Sequence, residues 1–373
     1  MREAANVSPD PAAVMRDCIQ KVATGPELSK DLSRDEARAA MQAILEGHVD
    51  PVQAAVFLIG LRMKRETLEE SEGVLQALRD HATTAVADVD HLIDIADPYD
   101  GHVRGLPATA FLPAVLAACG QPAVCHGIES IGPKFGATPR MVLRAAGVDT
   151  DLSPQAAAAR IVREDIGWAY VDMHAFCPGL HALTDLRNLI IKRNTLTTVE
   201  NLVGPVRARG RTHIMVGYVH KAYPPVYAHL ARYSGFASGL VVRGGEGGVI
   251  PSLQQPGRAF LYRDGGPERE LALDPAALGI RAESRAVPLP SGIVSTEAGN
   301  GAQPQADGRE VAPEAARAGL AALRGESGPM RDSLIYAGAL ALHHLGGEED
   351  MNSAAERVRQ VLDDGSALVR FAG

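Results

Sequence analysis

Apolar residues recur at three- and four-residue spacing from residue 11 to about 83, then give way to short apolar runs broken by glycine and proline. The first pattern predicts amphipathic helices, the second strands alternating with helices. Ser33-Arg34-Asp35-Glu36 and Thr67-Leu68-Glu69-Glu70 are capping boxes, each opening a helical run. Asp50-Pro51 supplies an N-cap with proline at the first helical position. The QAAVFLIGLRM that follows is apolar nearly all round, so it needs cover on most sides from helical neighbours or a partner subunit.

From Val89 the period changes. HLIDIAD, PAVCHG and IGWAYVD predict strands, and LPATAFLPAVLAACG, TPRMVLRAAGV and SPQAAAARIVRED predict helices between or after them. HALTDLRNLI and TTVENLVG form a second helical stretch, followed by strand candidates THIMVGYV and GLVVRGG around a helix at PPVYAHLARYSG. Residues 254–312 are rich in proline, glycine and charge, with strand-like pieces RAFLYRD and RAVPLP, and predict long loops. Three helices close the chain (PEAARAGLAALRG, RDSLIYAGALALHHLG, MNSAAERVRQVLDDG), the last ended by Gly365 as a C-cap.

Alternating strands and helices call for a mainly parallel sheet with crossover helices. The expected fold is α/β: a small all-helical domain, residues 1–86 with a helical insert at about 176–206, joined to a larger α/β domain with flanking helices, residues 87–175 and 207–373.

Composition narrows the function classes. Hydrophobic content of 46% and 22% charged residues are those of a folded chain rather than a disordered one. No apolar run reaches about 18 residues and the N-terminus lacks a signal-peptide core, so the expectation is a cytoplasmic protein without a membrane partner. Cys18, Cys119, Cys125 and Cys177 are scattered and predict neither zinc nor disulfides, and the spacing of His174 and His181 around FCPG fits no metal motif. A net charge of -8 argues against a nucleic acid held over the whole surface. It leaves open a local basic stripe of Arg187, Lys192, Arg193, Arg207, Arg209 and Arg211.

The stretch with the most candidate chemistry is Asp94 to Gly136, two consecutive strand-to-helix loops of the kind that bind ligands at the C-terminal edge of a parallel sheet. Asp97 and Asp100, three residues apart, are either metal-binding carboxylates or a solvated cap and turn. His102 and Arg104 follow and offer positive charge to an anion, or simply face water. Thr109 is either a helix-start residue or a ligand contact. His126 and Lys134 sit in the second loop, as pocket residues or, for His126, as a satisfied strand-end histidine. Glu246, flanked by four glycines in GGEGG, marks a close backbone approach that serves either a ligand or packing.

The order and spacing of LSRDEARAAMQAILEG, QAAVFLIGLRMKRET, VLAACG, a His-Gly followed by KFG, NLVGP, DPAALGI, GESGPMRDSLI and VLDDGSAL resemble the anthranilate phosphoribosyltransferase family from Leu32 to Gly365. The resemblance implies transfer of a 5-phosphoribosyl group from PRPP to an acceptor nitrogen, with Mg²⁺ on the diphosphate and a homodimer through the N-terminal helices. A glycine loop at a helix start suits that task, because close backbone N–H groups neutralise the departing diphosphate.

The motifs themselves are altered. The family's G-T-G-G-D loop falls on Asp97, Pro98, Tyr99, Asp100 and Gly101, losing three glycines and one N–H donor. Its N-I-S-T falls on Pro107, Ala108, Thr109 and Ala110, and its K-H-G-N on Cys125, His126, Gly127 and Ile128. Its S-S-K-S-G keeps only Lys134 and Gly136, and its D-E metal pair falls near Val249 and Ile250, with Glu246 the nearest carboxylate. Arg187 lies close to the arginine that orients anthranilate.

The resemblance therefore implies a divergent phosphoribosyl- or glycosyltransferase using a phosphorylated ribose donor, with an acceptor other than anthranilate. Asp100, Gly101, Arg104, Thr109, His126, Gly127 and Lys134 are expected at the donor, Arg187 at the acceptor, and Asp97, Asp100 and Glu246 around Mg²⁺. Two alternatives remain at this point: a catalytically silent relative that binds a nucleotide or sugar phosphate, and a nucleic-acid binder, a role known among TrpD-like relatives without biosynthetic activity.

Overall fold

The computed structural model describes residues 10–25, 27–293 and 305–373. The chain divides into two compact units. One comprises the described residues up to Ala82 together with Cys177–Val203, and the other comprises Thr83–Phe176 with the described residues from Gly204 onward. No described helix is long and apolar enough to cross a membrane.

The first unit is helical. Helices Arg34–Leu45 and Leu68–His81 start at the two capping boxes, with Ser33 accepting from the Glu36 N–H and Thr67 from the Glu70 N–H. Helix Pro51–Lys64 starts at Asp50, whose carboxylate accepts from the Val52 N–H at 2.8 Å. Its Phe57, Leu58 and Leu61 are buried, while Val52 and Met63 remain 70% and 75% exposed on this chain. The insert contributes short helices, Pro178–Ala182, Thr184–Ile190 and Leu196–Val199.

The second unit is a larger α/β domain with a mainly parallel sheet. Its strands are β1 (Ala85–Ala87), β2 (His91–Ala96), β3 (Ala123–Gly127), β4 (Trp168–Asp172), β5 (Val206–Ala208), β6 (Arg211–Gly217), β7 (Ser238–Val242), β8 (Gly257–Arg263) and β9 (Arg269–Leu273). Seven of them form one sheet in the order β4-β3-β2-β6-β7-β8-β9, and β1 pairs β5 separately. The pairs from β4 across to β7 are parallel, and β8 and β9 add an antiparallel edge. That edge corrects the expectation of uninterrupted loops over 254–312. RAFLYRD pairs β7 directly, and the charged RELAL closes a hairpin against it; residues 294–304 of that stretch lie outside the described residues.

The core is built on helices Leu112–Ala118, Gly308–Leu323, Pro329–Leu345, Met351–Asp363 and Ser366–Ala372. Trp168 stacks on Phe371 with ring centroids 5.5 Å apart, and its indole N–H donates to the Arg370 carbonyl at 2.8 Å. Gly365 does not end the chain's helices. In the left-handed conformation (φ 77°) it turns one helix into the last, Ser366–Ala372.

At the N-terminal ends of the strands lies a chain of polar side chains, exposed at His91 and buried at His213, Ser238 and His344. Parallel register sets His213 of β6 beside Ser238 of β7. His91 Nδ1 meets His213 Nε2 at 3.0 Å, His213 Nδ1 meets Ser238 Oγ at 2.7 Å, and Ser238 Oγ meets His344 Nε2 at 2.8 Å. Burial, with His91 and Arg211 adding repulsion, lowers the His213 pKa to about 4. Burial, with Arg263, His213 and His343, lowers that of His344 to about 3.

Candidate functional site

The loop after β2 carries Asp97 through Leu106 and is tied down along its length. His102 and Ala137 form an antiparallel bridge, exchanging N–H to carbonyl bonds of 3.0 and 2.8 Å. The Gly136 N–H donates to the Asp100 carbonyl at 2.9 Å. Gly101 has φ 71°, and a Cβ there would lie 2.5 Å from the Gly136 backbone, so this position admits only glycine. The two loops that the sequence singles out thus close on each other.

Each carboxylate of the loop has a partner. Asp97, 1% exposed, meets His102 Nε2 at 2.7 Å and accepts from the Val249 N–H at 3.2 Å. Burial opposes a charge on His102, but Asp97, by Coulomb attraction and hydrogen bonding, outweighs it and raises the imidazole pKa above its ordinary value. Asp100 pairs with Lys134 Nζ at 3.0 Å, and Lys134 also donates to the Glu246 carbonyl at 3.3 Å. The Glu246 carboxylate accepts from the N–H groups of Val103 and Arg104. Three carboxylates against one ammonium and one imidazole leave this cluster net negative in either state of the ring.

The structure shows how the three carboxylates expected around Mg²⁺ are engaged. Asp97 meets His102, Asp100 and Glu246 share Lys134, and among the described residues no group of three His, Cys, Asp or Glu side chains converges as a metal cluster.

The His-Gly edge is filled as well. His126 is wholly buried, with Nε2 2.9 Å from Asp94 Oδ1 and Nδ1 2.6 Å from the Tyr99 hydroxyl. A ring protonated on Nε2 towards the carboxylate accepts from Tyr99 at Nδ1. The Asp94 approach is out of line for a hydrogen bond, and both its oxygens lack one. Tyr99 lies against Gly127, where a Cβ would come within 3.9 Å of its ring. His126 Nδ1 and Lys134 thus contact the loop's own groups, while His126 Nε2 is buried without a hydrogen bond among the described residues. Arg187 is paired within the helical unit. It is 4% exposed and makes a two-pronged pair with Glu200 at 2.6 and 2.8 Å.

What the structure does bring together is a cavity of about 790 Å³ at the C-terminal ends of β6 and β7. Arg104, Thr109, His102 and Glu246 line it, and so do Arg243, Arg285, Tyr218 and Tyr336, which the sequence reading did not single out. Its size is that of a small-molecule site. Arg104, Arg243 and Arg285 are exposed and pair with no described carboxylate. Thr109 opens a short 3₁₀ turn without capping it, and its Oγ1, like the Tyr336 hydroxyl, is buried without a hydrogen-bond partner among the described residues. Such orphans are rare in folded proteins. Arg243 follows β7 directly and was findable from the rule that ligands sit beyond the carboxyl ends of parallel strands. Arg285, inside a Pro- and Gly-rich stretch, gave no such signal.

Comparison with known proteins agrees with this architecture. Residues 16–82 match the model of the glycosyl transferase family, helical bundle domain, and residues 108–287 that of the glycosyl transferase family, a/b domain. An anthranilate phosphoribosyltransferase of Novosphingobium aromaticivorans is 28% identical over 92% of this chain and 95% of its own length. The anthranilate phosphoribosyltransferase (TrpD) of Thermus thermophilus superimposes with a TM-score of 0.73 at 22% identity, covering 96% of this chain and 97% of its own. The Saccharomyces cerevisiae enzyme in complex with PRPP and Mg does so with a TM-score of 0.73 at 15% identity, covering 96% of each chain. With a helical bundle and an a/b domain matched in order, and similarity running nearly end to end, the chain belongs to the glycosyl transferase family and is anthranilate phosphoribosyltransferase-like.

Proposed function

We propose that the α/β unit binds a phosphorylated ribose compound in the 790 Å³ cavity, as a divergent phosphoribosyl- or glycosyltransferase whose acceptor is not anthranilate. The observation that carries this reading is the set of three arginines without carboxylate partners, Arg104, Arg243 and Arg285, on one cavity at the ligand edge of the sheet. The buried, paired state of Arg187 supports an acceptor of different chemistry. A yeast relative holds PRPP with Mg; in this chain Asp97, Asp100 and Glu246 are the carboxylates nearest the loop that could serve Mg²⁺.

Thermal unfolding with ribose 5-phosphate, PRPP and nucleotides, each with and without Mg²⁺, tests it. A phosphorylated ribose at 100 times its Kd is expected to stabilise by roughly 2.7 kcal/mol, a rise of a few degrees in a chain of this size. The same rise is expected without Mg²⁺, and Arg104→Ala combined with Arg243→Ala is expected to remove it. No rise with any phosphate sinks the reading, and a rise only with PRPP and Mg²⁺ returns the chain to the chemistry named for its relatives.

A silent ligand binder is favoured by one observation, the loop N–H groups of Val103 and Arg104 being already filled. It predicts the same rise with no consumption of ligand in acceptor screens. The nucleic-acid reading has no such support. Arg187 pairs with Glu200, Arg209 with Asp88 at 2.5 Å and Arg211 with Asp264, while Arg207 stacks on Phe236.

For the apolar face of helix Pro51–Lys64, the occupant this reading proposes is a second copy of the chain, as the nearly all-apolar sequence of that helix demands. Light scattering is expected to give twice the chain mass, and Val52→Asp with Met63→Glu to halve it; a monomeric wild-type chain contradicts the dimer.

A further inference from the structure

The GGEGG turn is the place where a short, acidic side chain behaves most like a bound ligand. Glu246 itself adopts a left-handed backbone, φ 55° and ψ 15°, a conformation that glycine takes freely and glutamate does not. The four flanking glycines let the turn pass close to its surroundings. A Cβ at Gly248 would fall 2.9 Å from Asp97 Oδ1 and 2.7 Å from the His102 ring. From that turn the Glu246 carboxylate reaches a segment more than 140 residues earlier. Both oxygens lie 3.1 Å from the Val103 N–H, and Oε1 also lies 2.8 Å from the Arg104 N–H.

Two successive main-chain N–H groups aimed at one pair of oxygens form the kind of concavity that holds phosphate and other anions. Here the anion is covalently part of the protein. Lys134 completes the surround, with Nζ 3.0 Å from Asp100 Oδ1, 3.3 Å from the Glu246 carbonyl and 4.0 Å from Glu246 Oε2. A second anion arriving at these N–H groups would have to displace a hydrogen-bonded carboxylate and would face Asp97 and Asp100 as well.

We infer that Glu246 is a specificity-determining residue. Its carboxylate occupies the Val103–Arg104 anion position in place of a phosphate, so a diphosphate is kept out, and the anionic part of the ligand falls to the side chains of Arg104, Arg243 and Arg285. The ligand class in this statement rests on the cavity reading above; the exclusion itself rests only on the carboxylate and its N–H partners. The structure thus assigns a single-phosphate compound, not a diphosphate, to the wild-type site.

Isothermal titration of inorganic pyrophosphate and of ribose 5-phosphate into the full-length wild type, Glu246→Gly and Glu246→Gln, without added metal, tests it. Glycine suits the left-handed turn and uncovers both N–H groups. Glutamine keeps the side chain's size and removes its charge, so it serves should the glycine variant fold poorly by circular dichroism. Glu246→Gly is expected to bind pyrophosphate on the order of tenfold tighter than wild type, and Glu246→Gln with a smaller gain, about threefold. Equal pyrophosphate affinity in all three proteins, or wild-type binding as tight as either variant, overturns the inference. Ribose 5-phosphate separates the two readings. If no protein binds it, the cavity reading fails, while the pyrophosphate ranking still decides the role of Glu246.

Discussion

Between pH 6.5 and 5 the α/β unit is expected to lose roughly 3 kcal/mol of stability. His213 and His344 are the source, 6% and 1% exposed and joined through Ser238. Their folded pKa values of about 4 and about 3 lie below the ordinary 6.5. The unfolded chain therefore takes up a proton on each histidine as the pH falls through 6.5, while the folded chain takes up neither until far lower. Because the unfolded state binds more protons in this window, stability falls as pH falls, at up to about 1.4 kcal/mol per pH unit for each histidine. His102 does not offset this. Its folded pKa is raised, so its contribution is fully present below 6.5 and is lost only as the pH rises through the folded value. Urea unfolding at half-unit steps from pH 7 to 5 reads the slope, and His344→Gln is expected to halve it. A stability that stays flat across the window contradicts the buried, neutral state of His213 and His344.

Arg187→Ala is expected to cost the helical unit about 3–5 kcal/mol, because it leaves the Glu200 carboxylate buried without its partner. The effect belongs to the broken pair and not to the lost arginine alone. Replacing both residues, Arg187→Met with Glu200→Leu, is expected to recover most of the loss, since well-packed apolar side chains of similar volume replace buried ion pairs at little cost. Urea unfolding of the two single variants and the double variant closes the cycle. Strictly additive losses would mean that the pair is not coupled, and would reopen Arg187 as a residue held ready for a ligand.

The parts of this architecture that the sequence carried were those written in local pattern. Capping boxes at Ser33 and Thr67 and the proline after Asp50 marked helix starts correctly, because each uses side chains within three residues of the bond they make. Strands β2, β3, β4, β6 and β7 were legible as apolar runs, since strands covered on both faces need no alternation. The hairpin edge was harder. RELAL is mostly exposed and charged, and its identity as β9 comes from pairing with β8 rather than from its own pattern. The three-residue β1 and β5 are strands only because they meet each other.

The candidate site divides along the same line. Residue types were legible, and the glycines around Glu246 did signal close backbone approach. Partners were not, because Asp97 with Val249, Lys134 with Glu246 and Glu246 with Val103 join segments more than 100 residues apart. Arg187 read as part of a basic run because nothing local shows that Glu200, 13 residues on, will take it indoors.

Tyr99 makes the altered loop hard to undo. Its ring rests against Gly127 and its hydroxyl meets Nδ1 of the buried His126, which in turn faces Asp94. Restoring a glycine at this position would strip His126 of a partner and open a void beneath the loop, so the change is costly before any phosphate-binding benefit appears. Pro98 and the Asp100–Lys134 pair impose the same condition on their own positions. Single glycine replacements in this loop therefore each carry a structural cost, and a glycine form would need several of them made together.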